Sequence, residues 1–187
     1  MPLDLVYLWV DGGHPKSQRY RRQHGVSSPF QVSNHNELLY SLRSVHLHAP
    51  WVRRIVVVSE CGIVPSWAAT FPTVEWVDQD TVLPPEAVPC FNNMVLEAYL
   101  HRIPNISEPF LYFNDDYFLG QPVTPAMWLE PQWTFFRGHK RIANSASPQS
   151  QWLHMTVRTA DLCQKRWGTA RPLYLQHTPY LVSGPAM

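Results

Sequence analysis

Apolar and polar positions fall along this chain in blocks of two distinct periods. Leu5-Val6-Tyr7-Leu8-Trp9-Val10, Arg54-Ile55-Val56-Val57-Val58 and Phe110-Leu111-Tyr112-Phe113 are near-continuous apolar runs rich in β-branched and aromatic side chains. Such runs predict strands buried on both faces of a sheet. Val74-Glu75-Trp76-Val77 predicts a shorter strand, closed by Asp78-Gln79-Asp80. Elsewhere the spacing is helical. Leu38, Leu42 and Val45 predict a helix over 35–48, with Ser33 or Asn34 as N-cap, Glu37 in the first turn and Ala49-Pro50 as the stop. A second helix is predicted from Asn93 to Ile103, opened by Asn92-Asn93 after a loop containing Pro84, Pro85 and Pro89. Strand, helix, strand, strand, helix, strand is the order of an α/β sheet with crossover helices. The stretch 15–28 is polar and shows no sustained apolar periodicity, so it reads as a solvated loop. Its basic cluster, Arg19, Arg21 and Arg22 around Tyr20, has phosphate as the alternative partner.

The strand ends carry the candidate chemistry. Asp11-Gly12-Gly13 closes the first run and Asn114-Asp115-Asp116 closes the run at 110–113. If these strands are parallel, Asp11 and the Asp115/Asp116 pair share the crevice beyond the carboxyl ends, where open α/β sheets bind ligands. Each ionised carboxylate at the end of a buried strand needs a partner or water. Two adjacent carboxylates suit a hard cation such as Mg²⁺ or Mn²⁺. The residues alone leave a second reading open at both places: a solvated Asn-Asp-Asp turn and a plain Asp-Gly turn.

Composition narrows the classes without choosing among them. The chain has 187 residues, 45% of them hydrophobic, with 8 Trp, 8 Tyr and 8 Phe, enough for one folded α/β domain over 1–187 and against disorder. A net charge of +1 predicts no broad electrostatic footprint for nucleic acid. Cys61, Cys90 and Cys163 lack ligand-like spacing and are odd in number, which argues against a disulfide framework or a structural zinc. No apolar run is long enough to span a bilayer, and the N-terminus lacks a signal-peptide pattern.

Taken together, the segments resemble the Stealth proteins, which include bacterial capsule hexose-1-phosphate transferases and the catalytic subunit of the Golgi N-acetylglucosamine-1-phosphotransferase. LDLVYLWVDGGHP (3–15) is similar to that family's first conserved region. ELLYSLRSVHLHAPWVRRIVVVS (37–59), Pro65-Ser66-Trp67 and FNNMVLEAYLHRIPNISEPFLYFNDDYFLG (91–120) are similar to the second. QHTPY (176–180) resembles the start of the third, with its His-x-Pro at His177-Thr178-Pro179. The chain departs from the pattern at Asn34-His35-Asn36, where the family carries a carboxylate and Asn34 brings an amide. It also ends soon after the third region begins, as expected of a fragment truncated at the C-terminus.

The resemblance implies a Rossmann-like, GT-A-like nucleotide-sugar-binding sheet. It implies metal-dependent transfer of a sugar 1-phosphate from a nucleotide sugar to a hydroxyl of an acceptor glycan, with release of nucleoside monophosphate. In that reaction Asp115 and Asp116 are the candidates for holding Mg²⁺ or Mn²⁺, either both as ligands or one, Asp116 by preference, ligating while the other orients a water or sugar hydroxyl. Asp11 binds the nucleotide or supports the metal. His177, whose neutral imidazole can take a proton near pH 7, is the candidate general base. Arg43 and Arg102 are candidate phosphate clamps, with ties to Glu37 and Glu97 as the alternative. Asn92, Asn93 and Asn114 are candidate substrate contacts, with helix capping the alternative for the first two. The basic segment Arg137–Arg141 reads as a solvated loop or, alternatively, an acceptor contact. The compartment implied is cytoplasmic for a bacterial member and the Golgi lumen for a eukaryotic one, the Asn105-Ile106-Ser107 sequon being compatible with the latter. Two other functions fit the same residues: a metal-dependent glycosyltransferase, which would release nucleoside diphosphate, and a non-catalytic carbohydrate-binding fragment.

Overall fold

The computed structural model describes residues 2–26, 34–129, 165 and 179–182. Its described elements belong to one compact unit formed by residues 1–130 and 178–187. In chain order they are β1 (Asp4–Trp9), α1 (Pro15–Gln23), α2 (Glu37–His48), β2 (Arg54–Ser59), β3 (Val74–Asp78), α3 (Gln79–Val82), α4 (Asn93–Tyr99), β4 (Phe110–Asn114), α5 (Ala126–Leu129) and β5 (Tyr180–Val182). The strands form one sheet in the order β3-β2-β1-β4-β5. The first four are mutually parallel and β5 is antiparallel to β4. This is the Rossmann-like α/β arrangement that the alternation of runs predicts.

The apolar runs are continuous because both faces of the sheet are covered. Leu5, Tyr7 and Trp9 of β1, Ile55 and Val57 of β2, and Leu111 and Phe113 of β4 pack with Leu38, Leu42 and Val45 of α2. The alternate residues Val6, Leu8, Val56, Val58, Phe110 and Tyr112 pack with Leu96 of α4 and with Leu100 and Ile103 beyond it. Every residue of β1 is buried, as befits a strand with neighbours on both sides.

Three local expectations are corrected. Residues 15–23 form a helix, α1, where a solvated loop was expected. Pro15 occupies its first turn and His14 Nδ1 accepts the Lys16 N–H at 3.1 Å. The inward side of α1 is polar, which hid it from a search for apolar periodicity. Ser17 donates to Glu60, Arg21 Nε lies 3.0 Å from Glu60 Oε1, and the Tyr20 hydroxyl donates to Asp80 at 2.8 Å. Second, α2 is preceded not by a Ser33 or Asn34 cap but by Asn36, in a left-handed conformation with φ 66°. Asn34 Oδ1 accepts the Asn36 N–H at 2.9 Å, so the side chain closes the turn before the helix. Ser33 lies outside the described residues. Third, the second predicted helix is α-helical only to Tyr99, and Leu100–Arg102 tightens into a 3₁₀ turn.

Candidate functional site

The chain lays down β1, β2 and β3 in one direction, then returns to add β4 on the other side of β1. The order therefore reverses between β1 and β4, and the carboxyl ends of those strands flank the position where such sheets bind ligands. Leu8 of β1 is in register with Asn114 of β4. Asp11 and the Asp115-Asp116 pair consequently leave the sheet at the same edge.

The pair occupies a built turn. Tyr117 N–H donates to the Asn114 carbonyl at 3.1 Å, which makes Asp115 and Asp116 the two central residues of a β-turn. Helix α2 holds the exit of that turn through polar groups on its inner face. Ser41 donates to the Tyr117 carbonyl and also meets the Tyr7 hydroxyl at 2.8 Å. Ser44 Oγ accepts the Leu119 N–H at 3.0 Å, and the His48 carbonyl accepts the Val123 N–H at 2.9 Å. Sequence reasoning missed both serines. Their signal is the placing of small hydroxyls among the apolar positions that face the sheet.

Asp115 is half-buried and Asp116 exposed. Burial, and after it the charge of Asp116, pushes the Asp115 carboxyl up to about 6. A divalent cation would relieve that repulsion, so the donor set fits a hard ion. Among the described residues no cluster of three or more His, Cys, Asp or Glu in ligand range forms. Mg²⁺ often takes one or two carboxylates and keeps its other positions for water and phosphate oxygens, so a pair of acids is enough to start such a site.

Asn114 is enclosed by phenols. Its Oδ1 lies 2.6 Å from the Tyr112 hydroxyl and its Nδ2 donates to the Tyr117 hydroxyl at 3.2 Å. The Tyr112 hydroxyl is also 3.2 Å from Glu97 Oε1, and the Tyr180 hydroxyl donates to Glu97 Oε2 at 2.6 Å. Glu97 is thus a half-buried junction linking α4, β4 and β5. It was missed because its phenol partners lie 15 and 83 residues away in sequence.

The remaining candidates are placed as follows. Asp11 Oδ1 accepts the Gly13 N–H at 3.1 Å and closes a turn at the mouth of β1. Asn92 is the N-cap of α4, its Oδ1 accepting the Met94 N–H at 3.0 Å, and Asn93 begins that helix in an exposed position. Arg43 is exposed and sits over the Tyr40 ring at 5.5 Å, and Arg102 over the Tyr99 ring at 5.9 Å. Glu37 is engaged instead by His35 and Glu97 by the tyrosines. Arg21 of the basic cluster is committed to Glu60 at 2.8 Å. His177 and the segment Arg137–Arg141 lie outside the described residues. No helix among the described residues is long and apolar enough to cross a membrane.

Comparison with known proteins covers the same segments of the chain. Residues 31–136 match the model of the Stealth protein CR2, conserved region 2, which spans α2, β2, β3, α4, β4 and the carboxylate turn. An exopolysaccharide phosphotransferase of Streptomyces coelicolor is 35% identical over 203 residues, covering the whole of this chain and 37% of the relative. The exopolysaccharide phosphotransferase CpsY of Mycobacterium leprae is 34% identical over 189 residues, covering 94% of this chain and 35% of the relative. The capsular polysaccharide phosphotransferase LcbA of Neisseria meningitidis is 38% identical over 132 residues, covering 65% of this chain and 36% of the relative. The chain spans little more than a third of the length of these curated relatives. With more than half of its residues matched by that one region, and the matched segment building the edge at which Asp115 and Asp116 sit, the chain belongs to the Stealth proteins.

Proposed function

We propose that this chain forms the nucleotide-sugar-binding part of a metal-dependent transferase that moves a sugar 1-phosphate from a nucleotide sugar to a hydroxyl of an acceptor glycan. The observation that carries the reading is the carboxylate pair: two acidic side chains in one turn, at the switch point of a parallel sheet, one raised by burial and by the other's charge. The phosphotransferase names of its capsular and exopolysaccharide relatives support the same class of reaction.

In this mechanism Asp115 and Asp116 hold Mg²⁺ or Mn²⁺. The bound ion would offset charge on the diphosphate and on the phosphorus under attack. Asp11, at the mouth of the neighbouring strand, contacts the nucleotide or supports the metal. Arg43 and Arg102 are exposed cations available to the diphosphate, and Asn92, Asn93 and Asn114 offer amides to the donor. His177 takes the proton of the acceptor hydroxyl as its oxygen bonds to the phosphorus nearer the sugar. The bond from that phosphorus to the bridging oxygen breaks, and nucleoside monophosphate leaves.

The test is incubation of the complete polypeptide with a panel of nucleotide sugars, a glycan acceptor and Mg²⁺, with the released nucleotide identified. Monophosphate is the expected product. Diphosphate would make the protein a glycosyltransferase, and no release with any donor would favour a binding role.

A further inference from the structure

Tyr180 is the first residue of β5 and the register partner of Tyr112 in β4, with the two rings 5.0 Å apart. Both hydroxyls converge on Glu97, at 2.6 Å from Tyr180 and 3.2 Å from Tyr112. The Tyr112 hydroxyl is closer still to Asn114 Oδ1, at 2.6 Å. A phenol has one hydrogen to donate, so the Glu97 carboxylate and the Asn114 amide compete for that of Tyr112. Which of them wins depends on what else satisfies Glu97. The short bond from Tyr180 falls on Oε2 and draws off part of the carboxylate's charge, while the Tyr112 hydroxyl, facing Oε1 at 3.2 Å, lies nearer Asn114 Oδ1 at 2.6 Å. Burial, with the Glu97 charge, raises the Tyr112 and Tyr180 phenols far above neutral pH, so both remain donors.

Resting on the phosphotransferase reading above, we propose that Tyr180 is a positioning residue for that reaction. By sharing the Glu97 charge it favours the Tyr112 bond to the Asn114 amide, and with it the turn that presents Asp115 and Asp116. Strand β5 thereby contributes a polar latch to the site as well as a sheet edge. Removal of the Tyr180 hydroxyl frees one carboxylate oxygen, draws the Tyr112 hydrogen toward Glu97 and weakens one of the bonds that orient the Asn114 amide, the bond to Tyr117 remaining. The loss falls on the orientation of the reacting groups, and so on kcat more than on donor affinity.

The experiment compares wild type, Tyr180→Phe, Tyr112→Phe and Val182→Ala in the complete polypeptide, reading nucleoside monophosphate release and Tm. Val182 packs on the core from the same strand, in register with Phe110, and carries no hydroxyl, so its truncation reports the cost of loosening β5. Tyr180→Phe is expected to lower kcat roughly tenfold or more, with donor KM within about twofold and Tm close to wild type. Tyr112→Phe is expected to behave likewise, and Val182→Ala to lower Tm with kcat kept. If Tyr180→Phe does not fold, Tyr112→Phe decides the matter by the same criterion. Unchanged kcat in a folded tyrosine variant, or failure of both to fold, overturns the proposal and makes the phenols part of the packing. Absence of monophosphate release by wild type overturns the parent reading together with it.

Discussion

Asp4 and Asp115, at opposite ends of the sheet, are treated in opposite ways. At the amino-terminal edge Asp4 is 0% exposed and fully provided for. Arg53 meets it with Nε at 2.7 Å and Nη2 at 2.6 Å, and the Ser107 N–H donates to it at 2.9 Å. The Asp4 N–H in turn donates to Ser107 Oγ at 2.8 Å. At the carboxyl edge the largest influences on Asp115 are burial and a second carboxylate, and both push its carboxyl up to about 6. The edge itself is not the cause. Glu60 follows β2 at the same carboxyl end, is 2% exposed, and is satisfied by Arg21 and Ser17. A buried acid that the fold uses for itself is given an arginine and hydrogen-bond donors. Asp115 instead lies beside another acid, in a turn whose exit Ser41 and Ser44 of α2 hold, and the proposed function assigns that pair to a metal ion.

Substitution can break this contrast, and the largest effect is expected in activity. Asp116→Asn preserves size but removes charge, so turnover of the complete polypeptide should fall by orders of magnitude with Tm nearly unchanged. Asp4→Asn should do the reverse, lowering Tm by roughly 5–10 °C because a bidentate arginine loses its partner, with turnover per folded molecule unaltered. Nucleotide-release assays paired with thermal melts check both. Equal loss of activity in the two variants would erase the distinction between the edges.

The next effect is a pH dependence. The folded protein holds Asp115 above its unfolded pKa, so protonation stabilises the fold. The contribution is full below the unfolded value near 3.8 and is lost as pH rises through about 6. In chelator, wild type should therefore gain a few degrees of Tm between about pH 7 and about pH 5, relative to Asp115→Asn. Parallel melting curves for the two proteins across that window would remove the burial argument. The smallest effect belongs to Asn92. As a cap alone, Asn92→Ala loses about 1 kcal/mol of stability and leaves donor KM untouched. A rise in KM would assign its amide to the donor instead.

What the sequence revealed followed from which partners were local. β1, β2 and β4 were legible because burial on both faces makes the interior of each strand apolar or aromatic, with polar residues only at its ends. Helix α2 was legible through Leu38, Leu42 and Val45, which alone predict its inner face. Helix α1 was illegible because Ser17, Tyr20 and Arg21 answer Glu60 and Asp80, acids 39 to 60 residues away. The Asp115-Asp116 turn could be read as two acids at the end of an apolar run. The tyrosine junction at Glu97 could not, since it exists only once β5 pairs with β4.

The most direct test of the central claim is thermal melting of wild type, Asp115→Asn and Asp116→Asn in chelator and in excess Mg²⁺, using the complete polypeptide. Binding to the folded state alone raises Tm, with a stabilisation that grows as the logarithm of one plus ligand concentration over Kd. If the pair holds the ion, Mg²⁺ raises the Tm of wild type by several degrees and that of each variant by much less, while in chelator the variants melt at or slightly above wild type. An equal Mg²⁺ shift in all three proteins, or no shift in wild type, would contradict the account and return Asp115 and Asp116 to the status of a surface turn.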